Sequence, residues 1–314
     1  MKYIEFINDL VKKELAKKAR LLVFGQNVCA GSCLGGLTEN LTLKQNSRII
    51  NTPNSENSLV GFGFGLMISG VSSVYFMKQL DFLLLGVDQL VNTYGFIRNL
   101  YDIKKIASFT IVAVVYDQGY QGVQSSLNTL GDFCSIGRLP GLVVTNALDA
   151  KKIISTGLVA PGFCIIGVSA CLSKDEIITP DRIIYAAPDN TLFQYTEGSD
   201  ATIACFNFSF PQGWELLGRL KQAGMKAALF GVNSLTPVKW SAILQQAAKT
   251  HKLIIIDDSK SANLACDNLA FAASQLKTIK KIIVLTRQLE EDWLNPISDQ
   301  MNIDYKKIIK ELKK

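Results

Sequence analysis

Residues 49–77 read IINTPNSENSLVGFGFGLMISGVSSVYFM. The order of residue types in this stretch predicts one strand-helix-strand unit. Ile49 and Ile50 end a strand, Pro53 fixes the turn that follows, and Glu56 opens a helix that runs to about Ser69. A Gly-Val-Ser turn then leads into a second strand at 73–76. All of the 21 residues after Glu56 are uncharged. Such a run is long enough to suggest a membrane span, but Asn57, four serines and four glycines dilute it, so a close-packed buried helix is expected. Gly61, Gly63 and Gly65 are expected to let that helix approach its neighbours. A lone carboxylate in the first turn of a charge-free helix has two readings. It caps the helix dipole, which is worth about 0.3–1 kcal/mol, or it is a working acid whose burial raises its pKa and lets it share a proton with a ligand nitrogen.

The same alternation extends in both directions. A leading amphipathic helix (YIEFINDLVKKELAKKA) precedes the strand LLVFG, and a long helix is expected over 81–101. The strand FTIVAVVY at 109–116 follows, then a Gly/Gln/Ser-rich loop at 117–128, a short helix to Ile136, the strand LVVT, a helix and the strand 163–167. Continuous apolar strands separated by helices predict a parallel sheet covered on both faces. Residues 170–200 turn polar and irregular and are expected to form a domain boundary. A second alternation follows, with strands at 202–206, 226–230, 252–257 and 281–285. The closing segment YKKIIKELKK is expected to be one amphipathic helix. The fold class expected is therefore α/β, with two doubly wound domains of mainly parallel sheets: an N-terminal helix at 1–19, then domains at 20–185 and 195–314.

Composition narrows the chemistry. The 314 residues contain 33 Lys+Arg and 27 Asp+Glu, a net charge of +6, and one histidine, His251. Any triad or histidine-rich metal site would have to pass through His251, which argues against most hydrolase mechanisms. The excess charge lies in helix-like termini where lysines alternate with acids, so neither a nucleic-acid groove nor a membrane span is expected. Seven cysteines and no secretory apolar core at the start predict a reducing, cytoplasmic setting. Cys29 and Cys33 read as ordinary small residues, His251 reads as structural, and Asp257-Asp258 is a weak metal candidate. No Walker loop or G-x-G-x-x-G after a strand is present.

The string TPNSEN, the Gly-rich helix after it, and YFMKQLDFLLLGVDQLVN with its Asp88-Gln89 pair together resemble the pyrimidine-binding domain of thiamine-diphosphate enzymes of the transketolase group. The resemblance is greatest to the beta subunit of 2-oxo-acid dehydrogenase first components. EGSDATIACF, VNSLTPVKWSAILQQAAKTHKLIIIDDS and IDYKKIIKEL resemble the C-terminal domain of the same family, so the likeness runs from Arg20 nearly to the end. It implies that Glu56 is the glutamate that hydrogen-bonds a ring nitrogen of the cofactor's aminopyrimidine, favours the imino tautomer and helps deprotonate the thiazolium carbon. It implies that Phe82 is the aromatic that stacks on that pyrimidine. Ser55 within the motif, Asn27 in the first strand-to-helix loop, where the family carries an acid, and Gln121 and Gln124 complete the implied cofactor and substrate contacts.

Two departures shape the expectation. The stretch GYQGVQSSLNT places Leu127 or a near neighbour where the family carries a proton-handling histidine. Gln118, Tyr120, Gln121, Gln124 and Asn128 can hydrogen-bond there but cannot shuttle protons near neutral pH. No Gly-Asp-Gly occurs; Gly131-Asp132-Phe133 is the nearest approach. The family holds the diphosphate and Mg²⁺ through that motif, so the resemblance implies an alpha-type partner subunit that supplies it, with a heterotetramer as the assembly. The expected function is a subunit of an enzyme that cleaves or forms a C–C bond next to a carbonyl, acting on a small ketose phosphate or 2-oxo acid. The alternatives are the beta subunit of a 2-oxo-acid dehydrogenase first component and a non-catalytic partner in such a complex.

Overall fold

The computed structural model of the chain describes residues 1–117, 128–234, 239–260, 264–287 and 301–313. The unit read from residues 49–77 is present: strand β2 (Arg48–Asn51), helix α2 (Glu56–Ile68) and strand β3 (Ser72–Met77). With β1 (Leu21–Gly25), β4 (Ser108–Val115), β5 (Gly141–Val144) and β6 (Gly162–Ser169), these strands form a parallel sheet of order β2-β1-β3-β4-β6-β5. Helix α1 (Tyr3–Leu15) and α5 (Ala147–Gly157) cover one face through Ile7, Val11, Ile153 and Ile154. Helix α2, α3 (Tyr94–Leu100) and α4 (Leu130–Gly137) cover the other through Val60, Phe64, Tyr94 and Phe133. Both faces of every central strand are buried, which is why these strands read as unbroken apolar runs.

The second sheet has the order β12-β11-β9-β10-β8-β7. Its parallel part is β9 (Ala201–Phe206), β10 (Ala227–Val232), β11 (Lys252–Asp257) and β12 (Lys281–Thr286), packed by α6 (Phe210–Gln222), α7 (Ser241–Thr250) and α8 (Asp267–Ser274). Helix α9 (Tyr305–Leu312) lies against α6. The stretch expected to be an irregular boundary instead supplies β7 (Tyr185–Ala186) and β8 (Leu192–Thr196), added antiparallel at the β10 edge. The alternation of Leu192, Phe193 and Tyr195 with Gln194 is too short and too mixed to stand out from a polar linker; pairing with β10 makes it a strand.

Two further expectations change. The long helix over 81–101 is a chain of three pieces: a 3₁₀ turn at Leu80–Gly86, a π turn at Gln89–Thr93, and α3. Helix α2 is buried on one face only. Val60, Gly63, Phe64 and Met67 are inside, while Phe62 and Ile68 remain exposed. A Cβ on Gly63 would lie 2.1 Å from the Phe109 ring, so that glycine sets the approach of α2 to the sheet. A Cβ on Gly61 would come within 3.3 Å of the Gln89 amide, whereas Gly65 faces open space and has no packing role.

Candidate active site

Glu56 is the first residue of α2, held where the chain leaves the carboxyl end of β2. Its neighbours fix that corner: Thr52 N–H donates to Gly25 O at 3.0 Å, Cys29 N–H donates to Asn51 Oδ1 at 3.0 Å, and the Gln26 side-chain amide bonds Asn54. Glu56 is only 7% exposed. Among the described residues its carboxylate has no hydrogen-bond or ion-pair partner. A buried carboxylate ordinarily recruits donors, because desolvating the charge is costly. The Glu56 charge is felt by another acid: Tyr75 on β3 is pushed above its usual range by burial first and by the Glu56 charge second. Tyr75 stacks on Phe24 at 5.0 Å.

The Asp88-Gln89 pair has a structural task that the sequence did not disclose. Gln89 Nε2 donates to Asn57 Oδ1 at 3.0 Å, and Gln89 Oε1 accepts from Thr93 Oγ1 at 2.6 Å. The π turn thereby grips the residue next to Glu56, consistent with the frequent use of such turns at functional sites. Phe82 is half-buried on the 3₁₀ turn that packs against α2. Gly86 permits that packing, since a Cβ there would meet Val60 at 2.9 Å. Ser55 is exposed at the N-cap, and its hydroxyl makes no capping bond. Glu56, Ser55 and Phe82 therefore sit on adjoining elements. Asn27, in a left-handed conformation (φ 57°) after β1, lines a separate cavity at the same rim of the sheet. Gln121, Gln124, Gln118, Tyr120 and Leu127 lie outside the described residues.

Asn128 is turned to the second domain: its amide donates to Asp258 O at 3.0 Å and Oδ2 at 3.2 Å. Asp257 and Asp258 are committed to structural hydrogen bonds. Asp257 accepts from Ser259 N–H at 2.9 Å and Cys266 N–H at 3.0 Å, and Asp258 accepts from Phe208 N–H at 2.9 Å. No group of three metal-ligating side chains occurs among the described residues. His251 is exposed in a left-handed cap at the end of α7, with Nδ1 2.8 Å from Thr278 O, as a structural histidine would be.

Arg287, at the end of β12, joins the two domains. Its Nε donates to Asp258 O at 2.7 Å and its Nη2 donates to Asp117 O at 2.6 Å. Burial pushes the Asp258 carboxyl up to about 8, against the pull of Arg287, and the charges of Asp117 and Asp257 add to the rise. The native state therefore holds a proton that the unfolded chain releases near pH 4. Its contribution to stability is present below that pH and is lost as the pH climbs through about 8. Asp258→Asn is expected to flatten this part of the profile. Urea midpoints at pH 5 and pH 8 check it, and an unchanged difference between the two would show that Asp258 does not carry the effect.

No family model matches the chain. Sequence relatives do match along most of its length. The acetoin:2,6-dichlorophenolindophenol oxidoreductase subunit beta of Bacillus subtilis is 25% identical over 286 residues, covering 86% of this chain and 82% of the relative. The 2-oxoisovalerate dehydrogenase subunit beta of the same organism is 24% identical over 271 residues, covering 84% and 81%. Among solved structures, a split-gene transketolase described as an inactive beta4 tetramer superimposes with a TM-score of 0.71 at 15% identity, over 98% of this chain and 96% of that one. The transketolase of Campylobacter jejuni gives 0.63 at 11% identity, over 98% of this chain and 44% of that one. The fold is thus that of the transketolase group, and the chain's homologues are beta subunits of the kind that its sequence resembles.

Proposed function

We propose that the chain is the pyrimidine-binding subunit of a thiamine-diphosphate-dependent enzyme that cleaves or forms a C–C bond next to a carbonyl, completed by an alpha-type subunit that holds the diphosphate and Mg²⁺. The observation that carries this reading is the carboxylate of Glu56, without a partner among the described residues, on a residue only 7% exposed at the carboxyl rim of a parallel sheet. Such a group lacks a donor, and a ring nitrogen of an aminopyrimidine is a donor of the right kind when it shares a proton with the carboxylate. Glu56 would hold that nitrogen, Phe82 would lie against the ring, and the Gln89-Asn57 bond would keep the first turn of α2 in place. When bound, the cofactor supplies the nucleophilic carbon and the electron sink that this bond cleavage requires. The chain's own work is to orient, to exclude water and to hold a proton at Glu56.

The partner has a surface to meet. Leu84, Leu85, Phe96 and Leu100, between 56% and 74% exposed, stand on the 3₁₀ turn and on α3, and Phe62 of α2 is 47% exposed. A patch of this kind beside a site marks an interface more often than free surface. Phe96→Asp is expected to abolish co-purification with the alpha-type subunit while leaving the melting temperature of the isolated chain within about 2 °C, because the side chain is solvent-facing. Pull-down and scanning calorimetry check the two halves.

Several of the sequence relatives, the 2-oxoisovalerate dehydrogenase subunit beta among them, favour one narrower reading, the beta subunit of a 2-oxo-acid dehydrogenase first component. Turnover assays of the co-expressed complex with thiamine diphosphate, run on a 2-oxo acid panel and a ketose phosphate panel, test both. Activity on 2-oxo acids with reduction of an artificial acceptor selects the dehydrogenase reading, ketol transfer selects the transketolase reading, and activity on neither, with no calorimetric binding of the cofactor, overturns the proposal.

A further inference from the structure

The first sheet runs β2-β1-β3-β4-β6-β5, so the chain moves outward to one side after β1 and to the other after β3. The loops leaving the carboxyl ends of these two neighbours diverge, and the crevice between them is where open parallel sheets hold small ligands. A cavity of about 370 Å³ lies at that point. Asn27 follows β1, Lys78 follows β3 and Tyr116 follows β4; Ser32, and Ser169, Ser173 and Lys174 at and beyond the end of β6, also line it. Glu56 and Phe82 do not line it.

The chemistry of the wall is one-sided. Among the described residues, neither Lys78 nor Lys174 has an ion-pair partner, and the side chains of Asn27, Ser32 and Tyr116 make no hydrogen bonds. Among the described residues no carboxylate lines the cavity. Of the nearby acids Asp117 and Asp175, whose charges both act on Cys171, Asp117 is engaged by the cavity wall: Ser169 Oγ donates to its Oδ2 at 2.5 Å and Cys171 N–H donates to its Oδ1 at 2.9 Å. Lys78 is half-buried, which makes an uncompensated ammonium there costly. Two unpaired cations and three unused polar side chains around one crevice constitute an anion site without its anion chemistry supplied by the protein.

The strand-to-helix loops also join this cavity to the Glu56 corner. Asn27 is flanked by Gln26 and lies two residues before Cys29, and these are the two groups that bond Asn54 and Asn51. We infer that the switch-point cavity between β1 and β3 is an anion subsite that takes the carboxylate or phosphate group of a small substrate, with Lys78 and Lys174 as its cations. The inference rests on the proposed function in supplying the charged end of that reaction's substrate.

Calorimetric titration of the full chain with inorganic phosphate and, separately, with pyruvate at low ionic strength tests it, because salt weakens such contacts. One-to-one binding of at least one anion is expected, weakened about tenfold by Lys78→Met and by Lys174→Met. Lys249→Met, on the exposed face of α7, should change nothing. Tighter phosphate assigns a phosphate ester and tighter pyruvate assigns a 2-oxo acid. Failure of both anions to bind, an affinity unchanged in the two cavity variants, or an equal loss in Lys249→Met overturns the site. Lys174 is exposed, so its variant remains informative if Lys78→Met fails to fold. Glu56→Gln should leave anion binding intact. In the unsubstituted complex, anion binding without any thiamine-dependent turnover sinks the proposed function alone, and turnover without anion binding sinks the subsite alone.

Discussion

Glu56→Gln in the chain co-expressed with its alpha-type subunit is expected to lower thiamine-diphosphate-dependent turnover by about 10²–10⁴-fold, the range supplied by a positioned acid-base group. Glutamine keeps the volume and the hydrogen-bonding reach of the side chain but cannot take up or release the proton. The isolated chain should fold as before, since the carboxylate makes no hydrogen bond or ion pair among the described residues that the substitution could break. Steady-state turnover and thermal unfolding together make the check. Turnover within about threefold of the unsubstituted complex would leave Glu56 as a dipole cap and favour the non-catalytic reading.

The largest loss of stability is expected from Asp149. This carboxylate is fully buried in the first turn of α5, where the two domains meet. It accepts from Thr145 N–H at 3.0 Å and Oγ1 at 2.6 Å, from Asn146 N–H at 3.1 Å and Nδ2 at 2.8 Å, and from Asn233 Nδ2 at 2.9 Å. Burial raises its pKa and these donors pull it back. The same knot carries the domain junction, because Asn146 Nδ2 also donates to Tyr195 OH at 2.8 Å and Val143 N–H donates to Asn233 O at 2.8 Å. Asp149→Ala strands several buried donors at once and is expected to cost about 3–5 kcal/mol. Urea unfolding at neutral pH measures it, and a loss below about 1 kcal/mol would show that water or a neighbour replaces the carboxylate.

The sites of these two substitutions differ in how far the sequence disclosed them. Glu56 was legible because it stands alone before 21 uncharged residues, within a string that resembles a known family's motif. Asp149 was invisible as a junction: in DAKKIISTGL it reads as an ordinary acid near a helix start, and its partners Tyr195 and Asn233 are 46 and 84 residues away. Lys78 gave no signal either. An isolated lysine after a strand reads as solvated, and only the divergence of the loops after β1 and β3 places it in a cavity.

The long helix expected over 81–101 failed for a related reason. Its periodicity is apolar enough for a helix, yet Gly86 must meet Val60 and Gln89 must reach Asn57, and the backbone departs from α geometry to satisfy both. The antiparallel β7 and β8 were read as a polar linker because strands this short take their definition from a neighbour.

What the sequence determined by itself is what depends on local period and residue type: the alternation of apolar strands with helices, hence two mainly parallel α/β layers, and the place of Glu56 at a helix start. What only the tertiary structure decided is everything set by contacts distant in the chain. Those contacts are the grip of Gln89 on the Glu56 corner, the closure of the domain junction around Asp149 and Arg287, and the meeting of Asn27, Lys78 and Lys174 at one crevice. Local patterning is written in neighbouring residues because 3.6- and 2-residue periods are short. Burial, charge pairing and cavity shape are written between residues that only the packed sheet brings together.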